Sequence, residues 1–420
     1  MPGLNIAPAI VEIEFVQSSQ TLNFVLDDAT KGVLGNTTYK LGGATWTDVT
    51  SSAYSTTIQR GKNQALARYN AGTLSVVLDN QTAQFDPTIP AGTSGYPYAG
   101  QIIPGKRVRV TVGTELQFLG VVQDWDLDYP LGGIATASLR AADAFVQLAN
   151  RTLEADTFTT ALSSSMLTSV LDQPEVAFDS AYRDIQTGVT TLQTTTVTLG
   201  TNALTFCQLI ESSEPGSLFV SKEGFLTFRS RRYNPTYSGA IIITDDGTSV
   251  TPRSIEVEYG SELLYNRATI TRAGGTTQVA NDADSQTIYG ILAYDQSGLL
   301  MNSDAVALSM AQYYANTYGE PVFRPKRVKL DMMAQTGNDQ GLLQALDLDD
   351  LVLIKFTPPG GQLIERYMVV GGISHRVTPG RHEIDLDLLD ADDQGMTYGT
   401  AALAPEDQPL SLLDSNRYGF

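Results

Sequence analysis

The most regular group of potential metal ligands in this sequence is Asp124, Asp126 and Asp128, in the segment QDWDLDY. Side chains alternate between the two faces of a strand, so the three carboxylates would share one face. Three such oxygens could coordinate Ca²⁺. The alternative, which we favour, is the solvent-facing side of a strand whose other face carries Trp125 and Leu127. The calcium site stays open as a hypothesis, and no EF-hand spacing supports it.

The other residue types that perform catalysis are scarce or lack a pattern. No two of the 46 acidic residues stand out as a glycosidase pair, and His375 and His382 are the only histidines. His375 lies on an alternating strand and His382 beside a turn, which favours structural or surface roles. Cys207, the single cysteine, lies in an apolar helical run and is interpreted as a buried, inert thiol. The glycine-rich segments lack the Gly-Lys-Ser/Thr ending of a phosphate loop. We therefore predict no catalytic residue, no cofactor and no enzymatic activity.

Two features indicate contacts with other molecules. Arg107 and Arg109 alternate with valines in KRVRVTV, which predicts a polar strand face. At an oligomer interface they could pair with aspartates of a neighbouring copy, and charge reversal would then weaken assembly. Residues 79–101 are rich in Pro and Gly and lack periodicity, which predicts a long loop that serves as a contact element. Its interface candidates are the aromatic residues Phe85, Tyr96 and Tyr98.

The charge balance excludes some partners. The chain has 27 basic and 46 acidic residues and a formal charge of −19. Nucleic-acid binding needs a basic footprint, so stable DNA binding is not expected, whereas transient passage of DNA is compatible with an acidic surface. The sequence contains neither a signal-peptide pattern nor a run of 18 uncharged apolar residues, so we expect no membrane insertion.

The periodicity predicts a mainly β fold with an α+β insert. Short alternating segments separated by Gly, Pro and Asn clusters fill the first third and return after about residue 250. Between them, residues 157–171 and 201–214 have helical spacing, with Thr201 or Asn202 as the N-cap of the second helix. Another helix is predicted over residues 303–319, with Ser303 as N-cap. The resulting domains are a first β-barrel (1–145), an α+β insert (146–248), a second β-barrel with one long helix (249–395) and an extended C-terminal arm (396–420).

The two barrel segments share a pattern. Residues 105–144 and 349–393 each contain an alternating strand, a turn, a strand ending near a glycine, a Pro-Gly turn and a final strand that runs into aspartates. In this alignment Val110 matches Ile354, Val122 matches Val370 and Leu139 matches Leu386. The upstream segments ARYNAGTLSVVLD and FRPKRVKLDM form a further matching pair. The sequence therefore predicts two similar barrels that flank the insert.

Several phrases, in order, resemble a known family. ARYNAGTLSVVLDNQTAQFDP followed by IPGKRVRVTVG and LQFLGVVQDW is similar to the N-terminal region of minor tail proteins of long-tailed bacteriophages. LTFCQLIESSEPGSLFVSKEGFLTFRSR and LLYNRATITRAGGTTQVANDADSQTIYG resemble the middle and C-terminal parts of those proteins. The resemblance extends from about Ile10 to Asp393.

The resemblance implies a tail-tip or baseplate hub, similar in plan to the hubs of contractile-tail phages. Such hubs are trimers in which two similar barrels per chain form a pseudo-sixfold ring. The ring adapts a sixfold tube to a threefold tip and opens for DNA ejection. The implied partners are the distal tail protein or the tube protein, together with tip or fibre proteins, in a virion assembled in the host cytoplasm. A hexameric distal tail protein and a carbohydrate-binding or lytic tail protein are the alternatives.

Overall fold

A computed structural model describes residues 9–16, 45–231 and 240–391 of the chain. The first part of it is built of strands, as the alternating valines, isoleucines and threonines predict. These elements are β1 (Ala9–Val16), β2 (Thr45–Asp48), β3 (Ala53–Gly61), β4 (Asn70–Asp79), β5 (Arg107–Val112), β6 (Glu115–Asp128) and β7 (Thr136–Ala142).

The middle part consists of helices and short strands. Its helices are α1 (Phe145–Ala149), α2 (Ser163–Leu171) and α3 (Ala203–Ser212). Its strands are β8 (Thr152–Leu153), β9 (Thr157–Phe158), β10 (Ala161–Leu162), β11 (Arg183–Ile185), β12 (Thr191–Leu192), β13 (Thr195–Thr196), β14 (Thr201–Asn202), β15 (Ser217–Val220) and β16 (Leu226–Arg229).

The last part returns to longer strands, with three helices between them. Its strands are β17 (Ile241–Thr244), β18 (Ser254–Glu258), β19 (Arg267–Arg272), β20 (Gln278–Asn281), β21 (Ala293–Leu299), β22 (Arg324–Asp331), β23 (Leu351–Phe356), β24 (Ile364–Thr378) and β25 (Arg381–Asp390). Its helices are α4 (Ala283–Tyr289), α5 (Asp304–Thr317) and α6 (Gly337–Ala345).

One large sheet connects the two β-rich parts. Its strand order is β18-β22-β25-β24-β3-β4-β7-β6-β5-β1-β2, and β23 and β17 branch from β24. Within this order β22-β25-β24-β23 repeats the antiparallel order of β4-β7-β6-β5. The mainly β fold with two similar barrel-like parts is therefore confirmed.

The residue register supports the repeat in detail. Val110 pairs with Phe118 in the first part and Ile354 with Arg366 in the second. Both long central strands have an irregularity just after the matched valines, between Val122 and Asp124 and between Val370 and Gly372. A bulge adds one residue and increases the local twist, so its recurrence at one matched position shows the same strand geometry in both parts.

Each part has its own apolar core. The first core lies between β1 and β3–β7 and includes Ile13, Ile58, Val76, Phe118 and Leu139. The second core combines β22–β25 with the α+β unit. A third cluster places α5 on the small sheet β20-β19-β21 through Ala307, Met310 and Ala311.

In the α+β unit, the structure confirms the predicted start of one helix and differs from the predicted start of another. Asn202 caps α3 by accepting a hydrogen bond from the Thr205 backbone nitrogen at 3.0 Å, as predicted. The helix predicted over 157–171 begins only at Ser163, because residues 157–158 and 161–162 pair with β13 and β12 instead. Strand pairing with threonine-rich segments later in the chain thus replaces the first turns of the predicted helix.

The two barrel-like parts meet where β3 pairs antiparallel with the second half of β24, from Thr56 opposite Val377 to Gly61 opposite Gly372. We call this contact the β3–β24 junction. A Cβ atom on Gly61 would lie 2.2 Å from the Gly371 carbonyl oxygen, and Gly61 has a φ of +100°. Only glycine meets both conditions without displacement of backbone atoms.

The predicted domain boundaries stay a prediction, although the junction shows that the first and third predicted domains share one sheet. The predicted C-terminal arm (396–420) lies outside the described residues.

We expect Gly61→Ala to lower the free energy of unfolding by about 2–4 kcal/mol, because the added methyl collides with backbone and the left-handed conformation disfavours a side chain. Gly341→Ala is the matched control. Position 341 lies in α6 with open space around it, so alanine should be neutral or stabilise by roughly 0.5–1 kcal/mol. Urea unfolding of both variants measures the difference. Equal stabilities would contradict the tight approach at the junction.

Candidate assembly interface

Asp124, Asp126 and Asp128 lie on the exposed side of β6, with Trp125 and Leu127 half-buried on the opposite side. Asp126 forms an exposed ion pair with Arg140 at 2.8 Å, which contributes little to stability. Within residues 9–16, 45–231 and 240–391, no three His, Cys, Asp or Glu side chains are arranged to hold a metal ion. The calcium hypothesis for these aspartates stays a prediction.

Arg107 and Arg109 lie on β5 and face β1 of the same chain. Arg109 Nε lies 2.6 Å from Glu12 Oε2, and Arg107 Nε lies 3.6 Å from Glu14 Oε2. Both guanidinium groups also stack over the Trp46 ring, at 5.4 Å for Arg107 and 4.5 Å for Arg109. The carboxylates nearest these arginines are therefore intramolecular, and the proposed pairing with a second copy stays a prediction.

The long loop is anchored to the first barrel by two of its three aromatic candidates. Phe85 is 0% exposed and stacks on Tyr98 at 5.3 Å between ring centroids. Tyr98 stacks in turn on Phe15 of β1 at 4.4 Å. Tyr96 is half-buried near the end of the loop. The aromatic residues thus hold the loop against the barrel, and their role in contacts with other proteins stays a prediction.

The two histidines meet in the interior. His375 Nδ1 lies 3.0 Å from His382 Nε2 across β24 and β25, and both residues are buried. Burial lowers the pKa of His382 to about 4, and it lowers the pKa of His375 as well. The pair is therefore neutral at physiological pH and can share one hydrogen bond, which fits the predicted structural role.

Buried ionisable groups surround the β3–β24 junction. Lys62 directly follows the glycine at the end of β3, and its Nζ donates to the Ala65 carbonyl oxygen at 3.0 Å and lies over the Tyr69 ring. Arg60 forms a buried ion pair with Asp347 at 2.6 Å. Asp143 accepts hydrogen bonds from the backbone nitrogens of Gly72 and Phe145 at 2.6 and 3.0 Å. Burial of such a group without a partner costs free energy. These contacts therefore favour the one arrangement of the surrounding elements in which each group has its partner.

Their protonation follows from burial. Desolvation raises the pKa of Glu211 to about 7, against the opposing charge of Lys62, and raises that of Asp143 to about 7. It raises the pKa of Asp349 to about 6, while the pKa of Lys62 is lowered. A small cavity of about 90 Å³ lies beside Lys62, Glu211 and Asp349. The junction thus contains carboxyl groups that titrate near neutral pH.

The sequence interpretation missed this cluster. One signal was available in α3, where Glu211 continues the buried face formed by Ala203, Cys207 and Ile210. An acidic residue at a core position of an amphipathic helix indicates a buried partner of opposite charge. Lys62 and Asp349 carry no comparable local signal, because their burial depends on contacts between distant segments.

Two solved structures are similar to this chain in fold. No protein-family model and no curated protein matches the chain. The 43 kDa tail protein of prophage MuSo2 from Shewanella oneidensis is similar, with a TM-score of 0.59 and 13% identity over 92% of this chain and 98% of that one. A tail protein from Neisseria meningitidis MC58 is similar with a TM-score of 0.57 and 9% identity, over 92% and 98% of the two chains.

The chain therefore has the fold of these two tail proteins over almost its whole length. The resemblance to phage tail proteins that the sequence phrases carry is confirmed at the level of the fold. In the described part of the chain, no helix combines the length and the apolar character that crossing a bilayer requires.

The pH dependence of stability tests the buried cluster. Because the folded-state pKa of Glu211 lies above its usual value of 4.5, the native state retains a proton that the unfolded state releases between about pH 4.5 and 7. The contribution of Glu211 to the free energy of unfolding should therefore fall as pH rises through this window. Glu211→Gln removes one titrating group and should reduce the fall between pH 5 and 7.5 by about 1–3 kcal/mol, as measured by urea unfolding.

Glu154→Gln is the control, since Glu154 is exposed. The slope that remains in Glu211→Gln is expected to come from Asp143, Asp349 and Asp350, whose pKa values burial raises, and to be opposed by the histidine pair, whose pKa values burial lowers. If Glu211→Gln had the same pH slope as the unmodified chain, the buried carboxyl would not titrate in this window.

Proposed function

We propose that this chain is a structural protein of a phage-type tail, a tail-tip or baseplate hub that ends the tail tube. The observation that carries the proposal is the four-stranded unit that occurs twice in one chain, with matched registers and a matched bulge. The fold shared with two tail proteins supports the tail as its location.

The repeat suits an adapter between two symmetries. Three copies with two similar units each would present six similar units to a sixfold tube and a true threefold axis to the tip. A protein with one unit per chain would need six copies for the same ring. The trimer is therefore the assembly that we propose, with the tube or distal tail protein on one side and tip or fibre proteins on the other.

The surface chemistry is compatible with the passage of DNA during ejection. With a formal charge of −19, the chain lacks the excess of cations that phosphate binding requires, so DNA could pass without being retained. We propose a structural and not a catalytic role, because the two histidines form a buried, neutral pair and the sequence carries no catalytic motif.

The oligomeric mass tests this proposal. We expect a trimer by analytical ultracentrifugation of the full chain, or three copies per tail by quantitative mass spectrometry of intact particles. Six copies would favour a distal tail protein, and a monomer that releases glycans from cell walls would favour a lytic tail protein. Absence of the chain from purified tails would overturn the proposal.

A further inference from the structure

We propose that the tip of the β6–β7 hairpin, residues 129–134, docks into an apolar recess of a second tail protein, and that lysine or arginine side chains surround this recess. We call these residues the apolar tip. The inference rests on the proposed function, because the tail supplies the partner. It deepens that function by naming a docking element and the chemistry of the surface that binds it.

The apolar tip exposes several large apolar side chains that are close in sequence. In the segment YPLGGI, Tyr129 is 51%, Leu131 106% and Ile134 54% exposed. Single exposed apolar residues are common on protein surfaces, whereas three within six residues form a patch. Tyr129 continues the half-buried row of Trp125 and Leu127, because alternate residues of a strand share a face. The apolar face of the first barrel therefore extends beyond the end of the sheet into solvent.

A closed turn fixes the backbone of the tip. The Gly133 backbone nitrogen donates to the Pro130 carbonyl oxygen at 3.1 Å, and Gly132 has a φ of +79°. A hydrogen-bonded turn with positive φ at its third residue is a type II turn, which favours glycine at that position. Leu131 is the second residue of this turn and is fully exposed. An anchor whose backbone is fixed before binding loses less conformational entropy in the contact.

The base of the tip is attached to the long loop and to the end of β4. The Tyr129 hydroxyl donates to Asp86 Oδ2 at 2.9 Å and accepts from Asn80 Nδ2 at 3.4 Å. Asn80 is buried, its backbone nitrogen donates to the Ala135 carbonyl oxygen at 3.0 Å, and its Oδ1 accepts from the Phe85 backbone nitrogen at 2.9 Å. The first core thus positions the tip, as a preformed docking element requires.

Of the two units in the described chain, only the first has this tip. The matched turn between β24 and β25 is the two-residue turn Pro379–Gly380, in which Gly380 has a φ of +83°. Its neighbours are Thr378 and Arg381, so no large apolar side chain occurs in the described turn 378–381. Three chains in the proposed ring would present three apolar tips, not six. A partner bound to the tips would therefore be present at one copy per chain, which suits the threefold side of the ring.

Acidic residues surround the tip and indicate the charge of its partner. Residues 79–105 and 123–139 contain five aspartates and no lysine or arginine. Asp79 and Asp128 both lie opposite Thr136, at the end of the sheet next to the tip, and Asp86 binds the Tyr129 hydroxyl. Cations around the recess of the partner would complement these carboxylates.

The charges also argue against two other occupants. The aspartates would repel anionic lipids, which disfavours a membrane surface. A second copy of the chain carries the same formal charge of −19, and the arginines near its matched turn, Arg253 and Arg381, already pair with Glu383 of their own chain. A different tail protein with a basic rim is therefore the occupant.

Photocrosslinking in assembled tails tests the contact. p-Benzoylphenylalanine is introduced at Leu131 and, as the matched control, at Leu199. Leu199 is 70% exposed and also precedes a glycine with positive φ, Gly200, but it lies in the α+β unit. We expect position 131 to crosslink to one other tail protein, at no more than one copy per chain, at a site flanked by lysine or arginine in the crosslinked peptide. Position 199 should not give this product.

Three results of this experiment would overturn the docking. They are a crosslink from position 131 to a second copy of the chain, the same product from both positions, and no product in tails that contain the chain.

Substitutions test the chemistry of the tip. We expect Leu131→Asp to reduce the amount of the crosslinked partner on purified tails at least about tenfold, because loss of a central apolar anchor weakens an interface by this order. Asp128→Lys should reduce it less, with a larger effect at low salt, because it repels the basic rim. Leu199→Asp and Glu154→Lys are the controls for the apolar and the charge change, and both should retain the partner.

All four substitutions change exposed side chains, so urea unfolding and the copy number of the chain per tail should match the unmodified protein. Full retention of the partner by Leu131→Asp, or an equal loss in Leu199→Asp, would contradict the docking.

These outcomes separate the docking from the hub. Tails that contain three chains and keep the partner after Leu131→Asp would overturn the docking and leave the hub intact. A chain that is absent from tails, or present in six copies, would overturn the hub itself. Binding of the purified chain to vesicles of phosphatidylcholine and phosphatidylserine, with loss of binding in Leu131→Asp, would assign the tip to a membrane and overturn the docking to a protein.

Discussion

The backbone pairing of β3 with β24 is the interaction on which the rest of the arrangement depends. It joins strands that lie more than 300 residues apart in the sequence and makes one sheet of two barrel-like parts. The pairing requires a close approach of Gly61 to Gly371 and Gly372, which any side chain at position 61 would prevent. The geometry of this contact sets the relative position of both cores and of the α+β unit between them.

The buried charges around the junction follow from that approach. Arg60 lies near the end of β3, and Lys62 directly follows that strand. Arg60 pairs with Asp347, and Lys62 is buried near Asp349 and near Glu211 of α3. Burial of these groups costs free energy unless partners are present, so the arrangement penalises any shift of one barrel relative to the other. The junction is thus specified twice, by backbone sterics and by electrostatics.

Local patterns predicted much of the fold and little of the interior chemistry. The N-cap of α3, the helix after Ser303 and the matched strand pairs all depend on residues close in sequence, and the structure confirms them. The late start of α2 and the presence of α6 were not predicted. The start of α2 is late because residues 157–158 and 161–162 pair with strands later in the chain. At α6 only the short Thr336–Asp339 cap signals a helix, and the residues after it have an unremarkable helical pattern. The partners of Arg107 and Arg109 were also missed, because Glu12, Glu14 and Trp46 lie on separate strands.

The sequence by itself determined the alternation that makes strands, the caps that begin helices and the repeat of residues 105–144 in 349–393. These properties depend only on the spacing of residue types along the chain. Only the tertiary structure decided which strand edges pair and which charges are buried. Those outcomes depend on the meeting of segments hundreds of residues apart. Periodicity states which face of a strand is apolar, but it does not state which strand lies beside it.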